Sequence, residues 1–366
     1  MVSSEEMQAV WRACERFVSG SYPQSPKAAL TALAADVSED AFADVYGTGE
    51  LLESFEAEIA ALLGTEAALF LPSGTIAQQS ALRVHADRSG VRTVAMHPRN
   101  HLDVFERYAY QWLHDLRGIP VGSANRLLTL EALQGIHEQI GTLLVELPQR
   151  ELGGLLPSWD ELVELTGWAR EQGMALHMDG ARLWECQPWF DRPYAEIVGL
   201  FDSAYVSFYK GLGGMAGAGL VGSAETIARA RVWQKRHGGT LIHQYPYVLA
   251  ARRGLQERVG RMGAYHAQAV AIAAELRQLP GVQIVPEVPQ THMMHVYLNG
   301  DPERLIEASV AVARERGVFL FRGLRDTPMP MWNSWELSVG DASLDVTPQE
   351  VAGLVADVLH RARRDG

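Results

Sequence analysis

The sequence predicts an α/β protein, with a large domain built on a mainly parallel sheet and a smaller C-terminal α+β domain. Short apolar runs alternate with helical stretches up to about residue 245, which is typical of parallel strands joined by covering helices. Beyond that point, long helical segments precede three short apolar runs and a last helix. A chain of 366 residues, 47% of them apolar, can bury a core of this size.

Hydrophobic spacing and chain breakers define the individual elements. The stretch 49–63 carries leucine, isoleucine and phenylalanine at steps of three and four residues, and Gly64 ends it. Such spacing predicts helices over 4–19, 49–63, 76–86 and 160–172, long helical segments over about 247–279, and a last helix from Pro348. Strands are predicted at 67–71, 93–96, 142–146, 175–178, 203–208, 219–222, 282–285, 292–298 and 318–321. We expect an N-terminal helix and arm (1–45), a large cofactor-binding domain (46–246) and a small domain (247–366).

Charge and cysteine content exclude several classes of protein. The formal net charge of −12 argues against a nucleic-acid partner, because phosphate backbones are bound mainly by clustered Lys and Arg. Cys14 and Cys186 lie far apart and form no CxxC pair, so neither a disulfide framework nor a metal site is predicted. The N-terminus lacks the layout of a signal peptide, and no apolar run reaches membrane-spanning length. We therefore expect a cytoplasmic protein.

Lys210 is the residue that most directly suggests chemistry. The chain has three lysines, and Lys210 stands between the apolar run 204–209 and the glycine-rich stretch 211–219. A primary amine, unlike a guanidinium, can lose its proton, attack a carbonyl carbon and form an imine. The alternative is a lysine at a strand end that extends its amine to solvent.

Two further motifs follow predicted strands. Ser73, Gly74 and Thr75 stand between a strand and a helix, where free backbone N–H groups can bind an anion, although the same residues also suit a helix N-cap. Asp179 ends an apolar strand, and a buried carboxylate there needs a cationic partner. That partner is either a protonated pyridine nitrogen or the nearby Arg182.

Other residues fall at the same predicted edge of the sheet. Lys210 follows Asp179 by 31 residues, about one strand–helix–strand unit, so both should emerge at neighbouring strand ends. Ser207 lies three residues before Lys210. His101 also follows a predicted strand, where it either stacks on a planar ring or is an ordinary loop histidine. Ligands of open parallel sheets bind outside such carboxyl ends.

In this order, the motifs resemble the threonine aldolase/β-eliminating lyase group of fold-type I, aspartate aminotransferase-like enzymes, which use pyridoxal 5′-phosphate (PLP). The resemblance covers about residues 44–255. It is carried by Asp-Val-Tyr-Gly at 44–47, the segment 63–75, Glu146 with the glycine pair 153–154, His-Met-Asp-Gly-Ala-Arg at 177–182 and Lys-Gly-Leu-Gly at 210–213.

The resemblance implies roles for individual residues. Lys210, His101 and Asp179 would be catalytic: Lys210 forms a Schiff base with PLP, Asp179 pairs with the pyridinium nitrogen and His101 stacks on the ring. The implied cofactor-binding residues are Ser73, Gly74, Thr75, His101, Glu146, Asp179, Arg182, Ser207 and Lys210. The implied substrate-binding residues are Arg182, Arg322, Tyr46 and Gln149.

The chain departs from the family pattern where the substrate would bind. The Glu-Asn-Thr-His stretch of the family is here Glu146-Leu-Pro-Gln149. The N-terminal Arg-Ser-Asp-Thr segment and a C-terminal arginine of the family are missing, and Arg322 is the candidate to replace that arginine. The cofactor half of the site is therefore expected to be intact and the substrate half altered.

We expect a PLP-dependent aldolase that cleaves a β-hydroxy-α-amino acid, threonine- or allo-threonine-like, to glycine and an aldehyde. The alternatives are a β-eliminating lyase, a transaldolase, a racemase or a transaminase, and a non-catalytic relative.

The sequence Gly217-Ala-Gly-Leu-Val-Gly222 matches GxGxxG but lacks the acidic residue of a dinucleotide site, so a reductase is disfavoured. His292 and His295 would face opposite sides of a strand and not share a metal. The resemblance implies a homodimer or homotetramer with a shared active site.

Overall fold

The computed structural model describes residues 2–364, which form two compact units. The larger unit comprises residues 25–151 and 156–260, and the smaller comprises the N-terminal segment to residue 24, residues 152–155 and the chain from residue 261 onward. Among the described helices, none combines the length and apolarity needed to cross a membrane. The predicted division at residues 45/46 and 246/247 stays a prediction.

The described elements are fifteen α-helices and thirteen strands. The helices are α1 (Ser4–Ala13), α2 (Pro26–Ala35), α3 (Glu50–Leu63), α4 (Gly74–Ser89), α5 (His101–Val104), α6 (Ala109–His114), α7 (Leu130–Gln134), α8 (Trp159–Glu171), α9 (Gln187–Phe190), α10 (Tyr194–Val198), α11 (Ala224–Arg236), α12 (Tyr245–Arg258), α13 (Met262–Leu276), α14 (Pro302–Arg316) and α15 (Pro348–Arg364). The strands are β1 (Arg16–Phe17), β2 (Ala67–Leu71), β3 (Thr93–Met96), β4 (Arg117–Pro120), β5 (Thr142–Glu146), β6 (Ala175–Gly180), β7 (Ser203–Ser207), β8 (Ala218–Gly222), β9 (Val282–Val285), β10 (Met293–Asn299), β11 (Val318–Phe319), β12 (Arg325–Asp326) and β13 (Trp332–Ser338).

The larger unit is organised on a seven-stranded sheet with the order β2-β8-β7-β6-β5-β3-β4. The pairs β3–β4, β3–β5, β5–β6 and β6–β7 are parallel, and β8 runs antiparallel between β7 and β2. This confirms the predicted α/β class with a mainly parallel sheet. Because β5, β6 and β7 are parallel neighbours, their carboxyl ends lie side by side at one edge of the sheet.

The central strands read as continuous apolar runs because both faces are covered. All five residues of β7 are buried, as are all five of β8. This is the pattern expected of strands that lie between layers of helices. One apolar cluster packs β2, β7 and β8 against α4 and α11 through Leu69, Leu71, Ala77, Ala81, Val84, Ala181, Tyr205, Ala218, Leu220, Ile227 and Ala230.

The smaller unit contains a four-stranded antiparallel sheet with the order β12-β13-β10-β9, and a short parallel pair, β1–β11. Its N-terminal helix packs into an apolar cluster that includes Val10, Phe17 and Phe319. The predicted helix over 4–19 is too long: α1 ends at Ala13, Cys14 is extended, and the chain enters β1. Both cysteines are free and buried.

The spacing of apolar residues in the sequence did not predict the strands β4 and β13. β4 contains Gly118 and Pro120 and lies at the sheet edge with Arg117 exposed, so it shows no apolar run. β13 has the sequence Trp-Asn-Ser-Trp-Glu-Leu-Ser, in which the adjacent polar residues Asn333 and Ser334 interrupt the alternation expected of a half-buried strand. Most other predicted strands and helices are confirmed to within a few residues, including α3, where Gly64 adopts φ 66° as the C-cap.

Gly74 is held against β7 by a close approach. A Cβ atom at residue 74 would overlap the hydroxyl group and ring of Tyr205, whose side chain is buried. By contrast, Gly167 lies in α8 with no neighbouring atom within 4 Å of the position that a Cβ would take.

We expect Gly74→Ala to lower the free energy of unfolding by about 1–3 kcal/mol, because a buried tyrosine must move. Gly167→Ala is the matched control and should raise it by about 0.5–1 kcal/mol, since alanine restricts the unfolded chain and favours a helix. Urea denaturation of both variants measures the difference. A Gly74→Ala protein as stable as Gly167→Ala would contradict the close packing.

Candidate active site

Three chemically active residues lie at the ends of neighbouring parallel strands. Glu146 ends β5 and is the register partner of Asp179 on β6. Asp179 is in turn the register partner of Tyr205 on β7, and Lys210 follows that strand by three residues. The sheet topology therefore brings the predicted Asp179 and Lys210 to the same edge.

Asp179 is completely buried and is only partly paired. One carboxylate oxygen, Oδ1, accepts a hydrogen bond from the backbone N–H of Ala181 at 3.1 Å. The other, Oδ2, is buried, and no hydrogen bond joins it to any of the residues that the structure describes. A buried carboxylate oxygen without a partner is costly, so this atom is suited to a cationic group brought by a ligand.

Lys210 is held in a setting that favours its neutral form. Burial lowers the pKa of the Lys210 amine, and the positive charge of Arg182 lowers it further, while Asp179 and Glu146 act in the opposite direction. A neutral amine carries the lone pair that attacks a carbonyl carbon. The alternative of a solvent-extended lysine is not favoured, because the side chain is largely buried.

His101 begins α5, where Asn100 caps the helix by accepting a hydrogen bond from Asp103 N at 3.0 Å. Its ring centroid lies 5.0 Å from that of Phe105. Burial lowers the pKa of His101 to about 4, and the charges of Lys210, Arg150 and Arg182 lower it too, against the effect of Asp179. His101 is therefore neutral near pH 7 and belongs to the same electrostatic cluster as Lys210.

The start of α4 combines a helix cap with exposed donors. Ser73 is the N-cap: its hydroxyl accepts a hydrogen bond from Ile76 N at 3.4 Å. The capping alternative is thus correct for the Ser73 side chain. Gly74 is the first helical residue, and the side chain of Thr75 forms a hydrogen bond with Glu106. The N–H groups at this helix start and the helix dipole remain suited to a phosphate.

Glu146 and Gln149 form one hydrogen-bonded group at the end of β5. Gln149 donates through Nε2 to Glu146 Oε2 and to the carbonyl of Arg99, both at 3.1 Å. Burial raises the pKa of Glu146 to about 8, and the negative charge of Asp179 contributes in the same direction. Glu146 therefore carries a proton near pH 7.

Arg182 and Ser207 occupy positions with structural partners. Arg182 Nε lies 3.7 Å from Glu185 Oε1, an ion pair with a different acid from Asp179, which was the partner that the sequence suggested. Its charge also affects the pKa values of both Lys210 and His101. Ser207 is buried, and its hydroxyl accepts a hydrogen bond from Tyr209 N at 3.3 Å.

Two further predicted substrate-binding residues, Tyr46 and Arg322, have surroundings of their own. Tyr46 lines an open cavity of about 770 Å³ together with Gly47, Glu56, Arg231 and Lys235, and Lys210 is not among the lining residues. Arg322 belongs to the smaller unit, where its guanidinium lies 4.3 Å from the ring centroid of Trp11. A role for either residue in binding substrate stays a prediction.

Sequence reasoning missed two charged members of the cluster, Glu106 and Arg150. Gln79 donates to Glu106 at 3.0 Å, and the pKa of Glu106 is raised to about 7, first by burial and then by the charge of Asp179. Arg150 begins a 3₁₀ turn directly after the Glu146–Gln149 group. Neither residue ends a strand or belongs to a glycine-rich motif, and spacing alone does not reveal burial. In the part of the chain that the structure describes, no group of three or more His, Cys, Asp or Glu side chains could hold a metal ion.

Comparison with known proteins identifies close relatives. A family model described as "Beta-eliminating lyase" matches residues 17–299. The low-specificity L-threonine aldolase 1 of Arabidopsis thaliana is 27% identical over 290 residues, which is 76% of this chain and 81% of that protein. A candidate aromatic amino acid β-eliminating lyase/threonine aldolase from Exiguobacterium sp. is 40% identical, with a TM-score of 0.92 over 97% of this chain and 99% of its own. A candidate L-allo-threonine aldolase from Listeria monocytogenes is 37% identical, with a TM-score of 0.93 over 98% and 99% of the two chains.

Replacing Glu106 by glutamine is expected to stabilise the protein at high pH. In the folded chain its pKa is raised to about 7 from 4.5, so the stability that the neutral acid contributes is complete below pH 4.5 and is lost as the pH rises to about 7. A glutamine stays neutral throughout. The variant should therefore exceed the wild type by about 2 kcal/mol in unfolding free energy at about pH 8, and by little near pH 4.5.

Urea denaturation of the ligand-free protein at the two pH values measures this difference. Glu171→Gln, on the exposed end of α8, is the matched control and should show no such dependence. A Glu106→Gln advantage of equal size at both pH values would show that the titration of Glu106 is not its cause.

Proposed function

This chain belongs to the β-eliminating lyase family, and we propose from that premise that it is a PLP-dependent aldolase. Its substrate is a β-hydroxy-α-amino acid of the threonine or allo-threonine kind, and its products are glycine and an aldehyde. The observation that carries the proposal is the placement of a buried, partly unsatisfied Asp179 and a half-buried amine, Lys210, at adjoining strand ends. Relatives described as threonine aldolases support the choice of reaction.

The residues present fit PLP. Asp179 Oδ2 is a buried acceptor for the protonated ring nitrogen, and Lys210 is the amine for the aldehyde carbon. The phosphate would lie at the start of α4, held by Ser73, Gly74 and Thr75, with Ser207 nearby. His101 would lie against the ring, and Arg182 and Glu146 would border it. When bound, PLP withdraws electrons from the α-carbon of an amino acid and weakens the bonds to it.

The side chains of this protein then control charge and protons. Asp179 would favour a protonated ring nitrogen, because its buried oxygen would gain a partner only in that state. Cleavage of the Cα–Cβ bond requires a base for the β-hydroxyl proton. The neutral ring of His101, or a water held by it, takes that proton. Gln149 cannot act as a base near neutral pH, so its amide orients Glu146 and the substrate.

β-Elimination is the second candidate reaction. It is favoured by the 40% identity to a relative described as a candidate aromatic amino acid β-eliminating lyase, and by Gln149, which stands where the family pattern has a histidine. Both reactions need the same Asp179–Lys210 pair, and they differ in which bond at the substrate breaks. The products distinguish them.

We expect the purified protein to convert L-allo-threonine and L-phenylserine to glycine and free aldehyde, with little pyruvate or ammonia from L-serine. Lys210→Ala should lower turnover at least about 10³-fold, because the nucleophilic amine is lost, and it should remove the visible absorbance of the lysine-bound cofactor. Lys27→Ala, at the exposed start of α2, is the matched control and should keep both its turnover and the visible absorbance. Full activity in Lys210→Ala would refute the assignment, and pyruvate as the main product would establish the lyase.

We propose that the active form is a homodimer or homotetramer. Beside His101, the segment around α5 and α6 exposes five large apolar side chains: Val104, Phe105, Tyr108, Trp112 and Leu113. Trp112 is 84% exposed, which is unusual for a tryptophan in a protein that acts as a single chain. A second copy of the chain would cover this surface. A cytoplasmic location also stays a prediction.

Light scattering after size exclusion should give a mass of at least twice the 40.3 kDa of one chain. Trp112→Glu should shift the distribution towards smaller species, since it places a charge in the proposed interface. The exposed Val163→Glu on α8 is the control. A wild-type protein with the mass of one chain would exclude the assembly.

A further inference from the structure

We infer that Arg150 binds the carboxylate of the amino acid substrate. This inference rests on the proposed function, since it concerns a substrate that carries both an amine and a carboxylate. While the substrate amine lies at Lys210, a cationic side chain of the protein must bind the substrate carboxylate. A guanidinium suits this task because its fixed N–H groups match both carboxylate oxygens.

The backbone fixes Arg150 at the edge of the sheet that carries the site. Its N–H donates to Glu146 Oε1 at 3.2 Å, and Glu146 is the register partner of Asp179 on the adjacent strand. The residue opens a 3₁₀ turn that directly follows the β5 strand end. Its position relative to Asp179 is therefore set by the sheet and by the hydrogen bond to Glu146.

An aromatic stack orients the guanidinium. The Arg150 Cζ atom lies 4.8 Å from the ring centroid of Phe105, and that ring lies 5.0 Å from the ring of His101. Stacking on a ring leaves the in-plane N–H groups directed to the sides, where a carboxylate can bind. The Arg150 side chain is 15% exposed, enough to meet a small ligand but too little for a solvating surface charge.

The neighbouring acid does not remove the positive charge of Arg150 from the site. Arg150 Nη1 lies 3.4 Å from Glu151 Oε1, while Arg99 Nη2 holds Glu151 Oε2 at the shorter distance of 2.9 Å. The charge of Arg150 is among the causes that lower the pKa values of His101 and Lys210. A ligand bound near His101 and Lys210 would therefore meet the same charge.

The other arginines are less suited to this task. Arg182, which the resemblance assigns to both the cofactor and the substrate, has its Nε atom 3.7 Å from the buried Glu185. Arg322, the replacement expected from the sequence, lies over Trp11 in the smaller unit. Arg150 combines the stack, the partial burial and the electrostatic effect on Lys210 in one side chain.

The test compares two ligands that differ only in the carboxylate: glycine, and glycinamide, in which a neutral amide replaces it. Each is titrated into the PLP-loaded enzyme, and the dissociation constant is read from the change in cofactor absorbance. Arg150→Gln should raise the dissociation constant of glycine by roughly 10- to 100-fold and that of glycinamide by less than about 3-fold. The dissociation constant of glycine for Arg150→Lys should lie between the values for the wild type and for Arg150→Gln.

Two further variants give the test its controls. Arg229→Gln, an exposed guanidinium on α11, should bind both ligands like the wild type. Arg322→Gln tests the rival residue: a selective loss of glycine binding there, with Arg150→Gln unaffected, would overturn the inference. Equal weakening of glycine and glycinamide in Arg150→Gln would also overturn it, because the residue would then act on the cofactor or the fold. A wild-type protein whose absorbance responds to neither ligand would reject the proposed function itself.

Discussion

The site is organised by one buried negative charge, that of Asp179. Its carboxylate lies at the end of a central strand, with one oxygen fixed by the backbone and the other without a partner. After burial itself, this charge is the next cause that raises the pKa values of Glu106 and Glu146. Two neighbouring carboxyl groups therefore hold protons into the neutral range, and the site avoids three adjacent anions.

The same charge acts on the bases of the site. Burial lowers the pKa values of His101 and Lys210, and Asp179 partly offsets that effect in both. Arginine charges act in the opposite direction and lower the pKa values of both groups further, and the imidazole, with a pKa of about 4, is neutral near pH 7. The fold brings Glu146, Asp179 and Lys210 together by placing β5, β6 and β7 side by side, since these three residues are 33 and 31 positions apart in the sequence.

The parts of the site that follow strand ends could be predicted from sequence. Lys210 and Asp179 each terminate an apolar run, and the sheet rule places such residues together, so their proximity followed from spacing and topology. The family inferred from these motifs is confirmed by the matching family model. Glu106 could not be found in this way, because it lies in a short turn between α5 and α6, and its burial depends on α4 packing against it. In the smaller unit, β13 could not be found from spacing, because the adjacent polar residues Asn333 and Ser334 interrupt the alternation of a half-buried strand.

Arg150 shows why an altered motif need not mean a lost function. Next to it, the family histidine is replaced by Gln149, which exchanges a group that can take a proton for one that can only form hydrogen bonds. Gln149 and the Arg150 backbone both donate to Glu146, so the two residues and the acid form one rigid unit at the end of β5. A protonated Glu146 can in turn donate its own proton in a hydrogen bond. A strand end that presents a neutral acid, an amide and a guanidinium is suited to holding a polar, anionic ligand.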